Sequence, residues 1–74
     1  MVLKIKVLIA DKVNEYIKNY GSSKTFLASR AEMSRQTLNS LMVSENPTLE
    51  SLIRIAIALQ CDVDDLFEFE VYPD

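Results

Sequence analysis

The feature that most restricts this chain lies between Ser22 and Met42, where two short helical patterns stand almost end to end. Ser23 is a residue type favoured at a helix N-cap, and Leu27, Ala28 and Ala31 behind it recur on one helical face. The pattern stops near Glu32. Ser34 then supplies a second cap after only two or three linking residues, and Leu38 and Leu41 give the next helix its inward side. So tight a connection forces the two helices to cross at a steep angle and share one core, which is the physical content of a helix-turn-helix.

The flanks supply the rest of a small domain. Ile9, Val13, Tyr16, Ile17 and Tyr20 form an apolar stripe, with Asp11, Lys12, Glu15 and Lys18 on other faces. Gly21, the only glycine, follows where a left-handed C-cap is expected. After a polar loop ending at Pro47, Thr48 can cap a helix carrying Leu49, Leu52, Ile53, Ala56 and Leu59, and Asp62 can cap a last short one. At the start, Leu3, Ile5 and Val7 alternate with Lys4 and Lys6, the period of a half-buried strand. A helical reading also fits, since Ile5, Ile9, Val13 and Ile17 recur at spacing four; β-branched content favours the strand. At the end, Phe67, Phe69 and Val71 alternate with Glu68, Glu70 and Tyr72 before Pro73. The expected architecture is therefore mainly α. Helices fall at about 9–20, 24–31, 35–42, 49–59 and 63–66, with strands at 2–7 and 67–72 pairing antiparallel in one domain spanning 1–74. Paired in that way, Leu3, Ile5 and Val7 share an inward face with Phe67, Phe69 and Val71, and the lysines face the glutamates outside. Whether the pairing is made within one chain or between two stays open.

Size and charge narrow the chemistry. A domain of 74 residues buries only about 60% of its unfolded surface and gains from a partner subunit. Cys61 is the only cysteine and there is no histidine, so neither a disulfide nor a Cys/His zinc site is expected, and no cofactor is implied. A lone thiol fits a reducing, cytoplasmic setting, and as a small buried hydrophobe it needs no further role. The longest unbroken apolar run, Ile55–Leu59, is too short for a membrane span. Asp11, Lys12 and Glu15 interrupt what would be the apolar part of a secretory signal. Net charge is −3, but it is unevenly spread. Residues 1–54 hold all eight bases and five acids, a net of +3, whereas residues 55–74 hold six acids and no base, a net of −6. A molecule so polarised can offer one end to phosphates and turn the other away, although an ordinary solvated surface with an acidic tail has the same tally.

From Gly21 onward the residues GSSKTFLASRAEMSRQTLNSL, then Pro47-Thr48-Leu49, Leu52-Ile53-Arg54-Ile55-Ala56, Leu59 and Asp62-Val63-Asp64-Asp65-Leu66, stand in an order that resembles the phage Cro and lambda-repressor-like helix-turn-helix family. The resemblance covers about two-thirds of the chain. It implies a compact five-helix DNA-binding core and a bacterial, phage or mobile-element setting. Several positions depart from the family pattern. Glu32 stands where the turn commonly has glycine, Met42-Val43-Ser44 replaces a frequent Glu-Asn-Gly, and the loop to Pro47 is about one residue short. Ile57 occupies a position that is usually polar, and the terminal strands lie outside the shared core.

On a helix beginning after Ser34, the residues Arg35, Gln36, Asn39 and Ser40 point away from the Leu38/Leu41 face. Arg can bridge guanine O6 and N7, and Gln or Asn can pair with adenine N6 and N7; the resemblance implies base readout at the same positions. Ser23, Lys24, Thr25, Ser34 and Thr37 suit phosphate contact, helped by exposed N–H groups at the helix starts. Without the helix-turn-helix order, the same residues would read as plain solvated polar faces. Phe26 fits a partner contact or, more simply, a cover over the first helix junction. Ile57 fits a dimer contact or packing beneath the terminal strands, and Met42 fits a core cap or a partner contact.

The expected function is sequence-specific binding of double-stranded DNA in the major groove by a transcriptional regulator of repressor type, dimeric at least on DNA. Two alternatives share the fold: an antitoxin-like protein binding both a protein partner and DNA, and a protein-interaction module with weak or no DNA binding. No paired carboxylates in a cleft pattern and no glycine-rich phosphate loop point to an enzyme.

Overall fold

The computed structural model describes residues 1–73. In chain order the elements are β1 (Val2–Val7), α1 (Ile9–Tyr20), α2 (Lys24–Arg30), α3 (Arg35–Met42), α4 (Leu49–Leu59), a 3-10 turn (Val63–Leu66) and β2 (Phe67–Tyr72).

Three of the four helices begin on the hydroxyl residues that the sequence offers. Ser23 Oγ accepts from the Phe26 N–H at 3.1 Å, Ser34 Oγ from Thr37 at 3.0 Å, and Thr48 Oγ1 from Ser51 at 3.1 Å. Each bond satisfies one of the N–H groups that a helix start leaves without an internal partner. α1 has no side-chain cap; Leu8 precedes it, and its backbone ties the two ends of the chain together by donating to the Leu66 carbonyl at 2.8 Å. Gly21 closes α1 in the left-handed region at φ +60°. Gln60 closes α4 in the same region without being glycine.

The core gathers Ile9 and Val13 of α1, Leu27 and Ala28 of α2, Leu38 of α3, Ile55, Ala56 and Leu59 of α4, and Leu66 of the 3-10 turn. Removing such side chains from water drives the assembly, at about 25 cal/mol per Å2 of apolar surface.

Several expectations need correction. Residues 63–66 do not form a fifth α-helix: the Asp65 N–H donates to the Asp62 carbonyl, a bond spanning three residues, and Phe67 is already extended at φ −155°. One turn followed directly by a strand has no room to propagate the i to i−4 bonds of an α-helix. α2 also ends one residue early, with Ala31 as its C-cap. The apolar stripes are narrower than their periodicity implies. Tyr20 is 72% exposed, because the last turn of α1 runs past the core, and its ring rests on Tyr16. On α4, Leu49, Ile53 and Ile57 form an exposed row, while Ile55, Ala56, Ala58 and Leu59 are buried against the rest of the domain.

β1 and β2 pair antiparallel as a two-stranded ribbon within the one chain, with Leu3 opposite Val71, Ile5 opposite Phe69 and Val7 opposite Phe67. Lys4 faces Glu70 and Lys6 faces Glu68. The base of the ribbon joins the helices through half-buried Val7 beside the core. Ile57 does not lie beneath the strands as a support; it is 64% exposed. The molecule is correspondingly elongated, 44 × 22 × 18 Å.

Candidate nucleic-acid interface

α3 is positioned from below. Leu38 is 1% exposed and locks its inner face, while half-buried Leu41 and Met42 pack against the core at its C-terminal end. With that face fixed, Arg35, Gln36, Asn39 and Ser40 are all solvent-exposed on the other side of the helix. They form a surface of hydrogen-bonding groups held on a rigid element, which is what reading base edges in a groove requires.

The polar groups at the helix starts have two kinds of role. Ser23 and Ser34 are engaged as caps, and the Ser34 and Thr37 hydroxyls lie 2.8 Å apart and hydrogen-bonded. A capping hydroxyl accepts from the backbone and keeps its own proton for donation. Thr25 is exposed and Lys24 half-buried at the start of α2. The nine polar residues expected to serve the site thus lie on α2, α3 and their two caps.

Sequence reasoning missed how the turn between these helices is held. Glu32 sits at φ +55°, in the left-handed region that costs a residue with a Cβ about 1–2 kcal/mol. Arg54 of α4 reaches over it. Its guanidinium lies 3.2 Å from Glu32 Oε2 and 3.1 Å from Glu50 Oε1, and it donates to the Ala31 carbonyl at 3.5 Å. Hydrogen bonds to Glu50 and then Glu32 raise the Arg54 pKa above its ordinary value, so the guanidinium is a fixed charge at this corner. The spacing of Glu50 and Arg54, four residues apart on one helix, is a legible signal for half of this arrangement. The bond to Glu32 spans 22 residues and has no local signature.

A second small cluster braces the α1–α2 junction. Arg30 donates to the Tyr16 hydroxyl at 3.2 Å and lies 5.5 Å from the centre of the Phe26 ring. Phe26 keeps half its surface exposed, so it covers the junction only in part. Cys61 is half-buried beside the core, and burial, followed by the nearby Asp65 carboxylate, pushes its thiol pKa up. A thiol held protonated in this way is a poor nucleophile. Among the described residues no cluster of His, Cys, Asp or Glu could hold a metal ion, and no helix is long and apolar enough to cross a membrane.

Two short helices capped by serines, a turn held between them and a polar outer face on the second define a helix-turn-helix DNA-binding domain. The chain belongs to the Cro/C1-type HTH DNA-binding domain family, whose model matches residues 4–72. That match extends into both terminal strands as well as the helices. Neither the curated proteins nor the solved structures yield a match.

Proposed function

We propose that this protein is a sequence-specific regulator of transcription, a repressor of phage or mobile-element type, that reads the major groove of double-stranded DNA with α3 as a homodimer. The observation that carries this reading is the contrast along α3: Leu38 buried, with Arg35, Gln36, Asn39 and Ser40 exposed. In this reading Arg35 and Gln36, next to the Ser34 cap, enter the groove first, and Asn39 and Ser40 follow one turn later. Ser23, Lys24, Thr25, Ser34 and Thr37 hold phosphates on either side and set the register of the helix in the groove. Repression follows from occupancy of a promoter-proximal site.

A dimer is proposed because a single α3 spans only a few base pairs. Two such helices held about 34 Å apart read a two-fold site one helical turn long. Lys4 and Lys6 stand opposite Glu70 and Glu68 in the ribbon, which offsets part of the acidic end.

The test is selection of bound sites from random duplexes, followed by titration of wild type at several salt concentrations. A two-fold consensus and a salt-dependent preference over random DNA are expected. A wild type that binds no duplex above random background even at low salt would replace this reading with a protein-interaction or antitoxin-like module, which the exposed apolar ribbon also fits.

A further inference from the structure

We propose that the apolar face of the β1–β2 ribbon, together with the Met42–Val43 corner beside it, is the surface on which a second copy of this chain docks, face to face and around a two-fold axis. The proposal deepens the homodimer described above and rests on that part of it, independently of DNA binding.

Paired positions in an antiparallel ribbon place their side chains on the same face. The face shared by Val7 and Phe67 at the base therefore continues outward through Ile5 and Phe69 to Leu3 and Val71. The base pair is half-buried, but Ile5 is 56% and Phe69 62% exposed, and Leu3 and Val71 are about half exposed. This face does not end at the ribbon. Leu3, Ile5 and Val7 form one wall of an open groove of about 580 Å3, whose other wall includes Met42 and Val43 at the end of α3. Ile5 and Val7 also border a second hollow with Pro47, Leu52 and Phe67. Lys6, Ser44, Glu45 and Asn46 complete the lining of the groove, so the apolar face of the ribbon reaches the C-terminal end of α3 across a partly polar floor.

Three features select a second copy as its occupant. The first is area. A standard interface buries about 800 Å2 on each partner, about two-thirds of it apolar in homodimers, hence on the order of 500 Å2. Leu3, Ile5, Phe69, Val71 and Val43, all half or more exposed, supply apolar surface of that order. The second is charge. The outer face of the ribbon sets Lys4 against Glu70 and Lys6 against Glu68, so its charges are balanced within the chain and offer no handle to a strongly charged partner.

The third is how the strand edges would have to pair. Joining two β1 edges around a two-fold axis brings a lysine row against a lysine row, and joining two β2 edges brings Glu68 and Glu70 against their own copies. Like charges in such positions repel. Joining β1 to β2 of another copy leaves a free edge at each end and does not close. Packing the apolar faces together meets none of these obstacles and closes as a dimer.

The experiment is the oligomeric state of the full chain by sedimentation equilibrium over a wide concentration range. Wild type is expected to be dimeric, and the double variant Ile5→Glu/Phe69→Glu to dimerise on the order of 100-fold more weakly. Its helical circular dichroism should be retained, since both side chains are already more than half exposed in the single chain. Ile53→Glu and Ile57→Glu, on the other exposed apolar row, are expected to leave the dimer intact.

Should the double variant fail to fold, dilution of methyl-labelled wild type gives the same answer. Methyl signals of Leu3, Ile5 and Val71 should shift as the dimer dissociates, while that of Ile57 should not. A wild type that stays monomeric throughout, a dimer that survives the double variant, or a dimer lost in the α4 variants would overturn the proposal. A dimeric wild type that binds no DNA would leave it standing and remove only the DNA-reading function, whereas a monomer that binds DNA would do the reverse.

Discussion

The helical core and the terminal ribbon contain similar side chains, yet they treat them in opposite ways. Leu27, Leu38 and Ile55 are enclosed from several directions by α1, α2, α3 and α4. Ile5, Phe69 and Val71 are just as apolar, but half or more of each stays exposed. A helix bundle of this size can close on itself because each short helix presents its stripe to several others. A two-stranded ribbon has one apolar face and nothing of its own to lay across it, so it is marginal until something does. The core therefore accounts for the stability of one copy, and the ribbon leaves its apolar face uncovered.

The largest effect that sharpens this contrast is in the core. Leu38→Ala should cost about 2–5 kcal/mol, by lost burial and the cavity left behind, whatever the protein concentration. Ile5→Ala should cost little in dilute solution and more as concentration rises, because its burial is expected only in the dimer. Urea unfolding at low and high protein concentration measures both. Equal, concentration-independent losses would remove the distinction between the two regions.

The next effect lies on the outer face that the core supports. Arg35→Ala and Gln36→Ala should each lose about 1–3 kcal/mol of binding to a selected operator and relax preference at one base pair per half-site. Lys24→Ala should weaken specific and random DNA alike and lower the salt slope by about one unit per site. Titration of the three variants against the operator, its point variants and random duplex separates reading from holding. Uniform losses across all three would mean the roles are wrongly divided.

Smaller effects come from the backbone that aims α3. Ser34→Ala removes the bond to the Thr37 N–H and should destabilise by about 1 kcal/mol. Glu32→Gly has the opposite sign. It relieves a left-handed position and loses an ion pair whose carboxylate is largely exposed. The relief is worth about 1–2 kcal/mol and an exposed ion pair contributes little, so a net gain in stability is expected. Thermal melts of both variants check this, and a destabilised Glu32→Gly would show that the Arg54 contact outweighs the strain.

What could be read without coordinates was local. Caps at Ser23, Ser34 and Thr48, the left-handed stop at Gly21 and the alternation in both strands depend on residues a few positions apart. The polar face of α3 follows from the same 3.6-residue period that buries Leu38. Opposite patterns at the two termini indicated which residues share a face, and the structure sets the register, Lys4 against Glu70 and Ile5 against Phe69. Periodicity names an apolar stripe, however, and not how much of it is covered. Leu49 and Ile53 fit the α4 pattern as well as Leu59 does, and only the placement of the other helices leaves the first two in solvent.

The tertiary structure decided the features that depend on distant parts of the chain meeting. Residues 63–66 carry helix-start signals, but β2 must leave at once to reach β1, which leaves a single 3-10 turn. Glu32 is tolerated in a strained turn where Arg54 arrives from 22 residues away. Ile57 could be read as a dimer contact or as packing beneath the strands, and the ribbon's projection from the core leaves it exposed and removes the second reading. Local propensity acts over one or two helical turns, so the sequence by itself could set where each element starts and which way its side chains alternate. Burial, ion pairing across the fold and the open face of the ribbon are properties of how those elements pack, and packing is settled only when the whole chain competes for the same core.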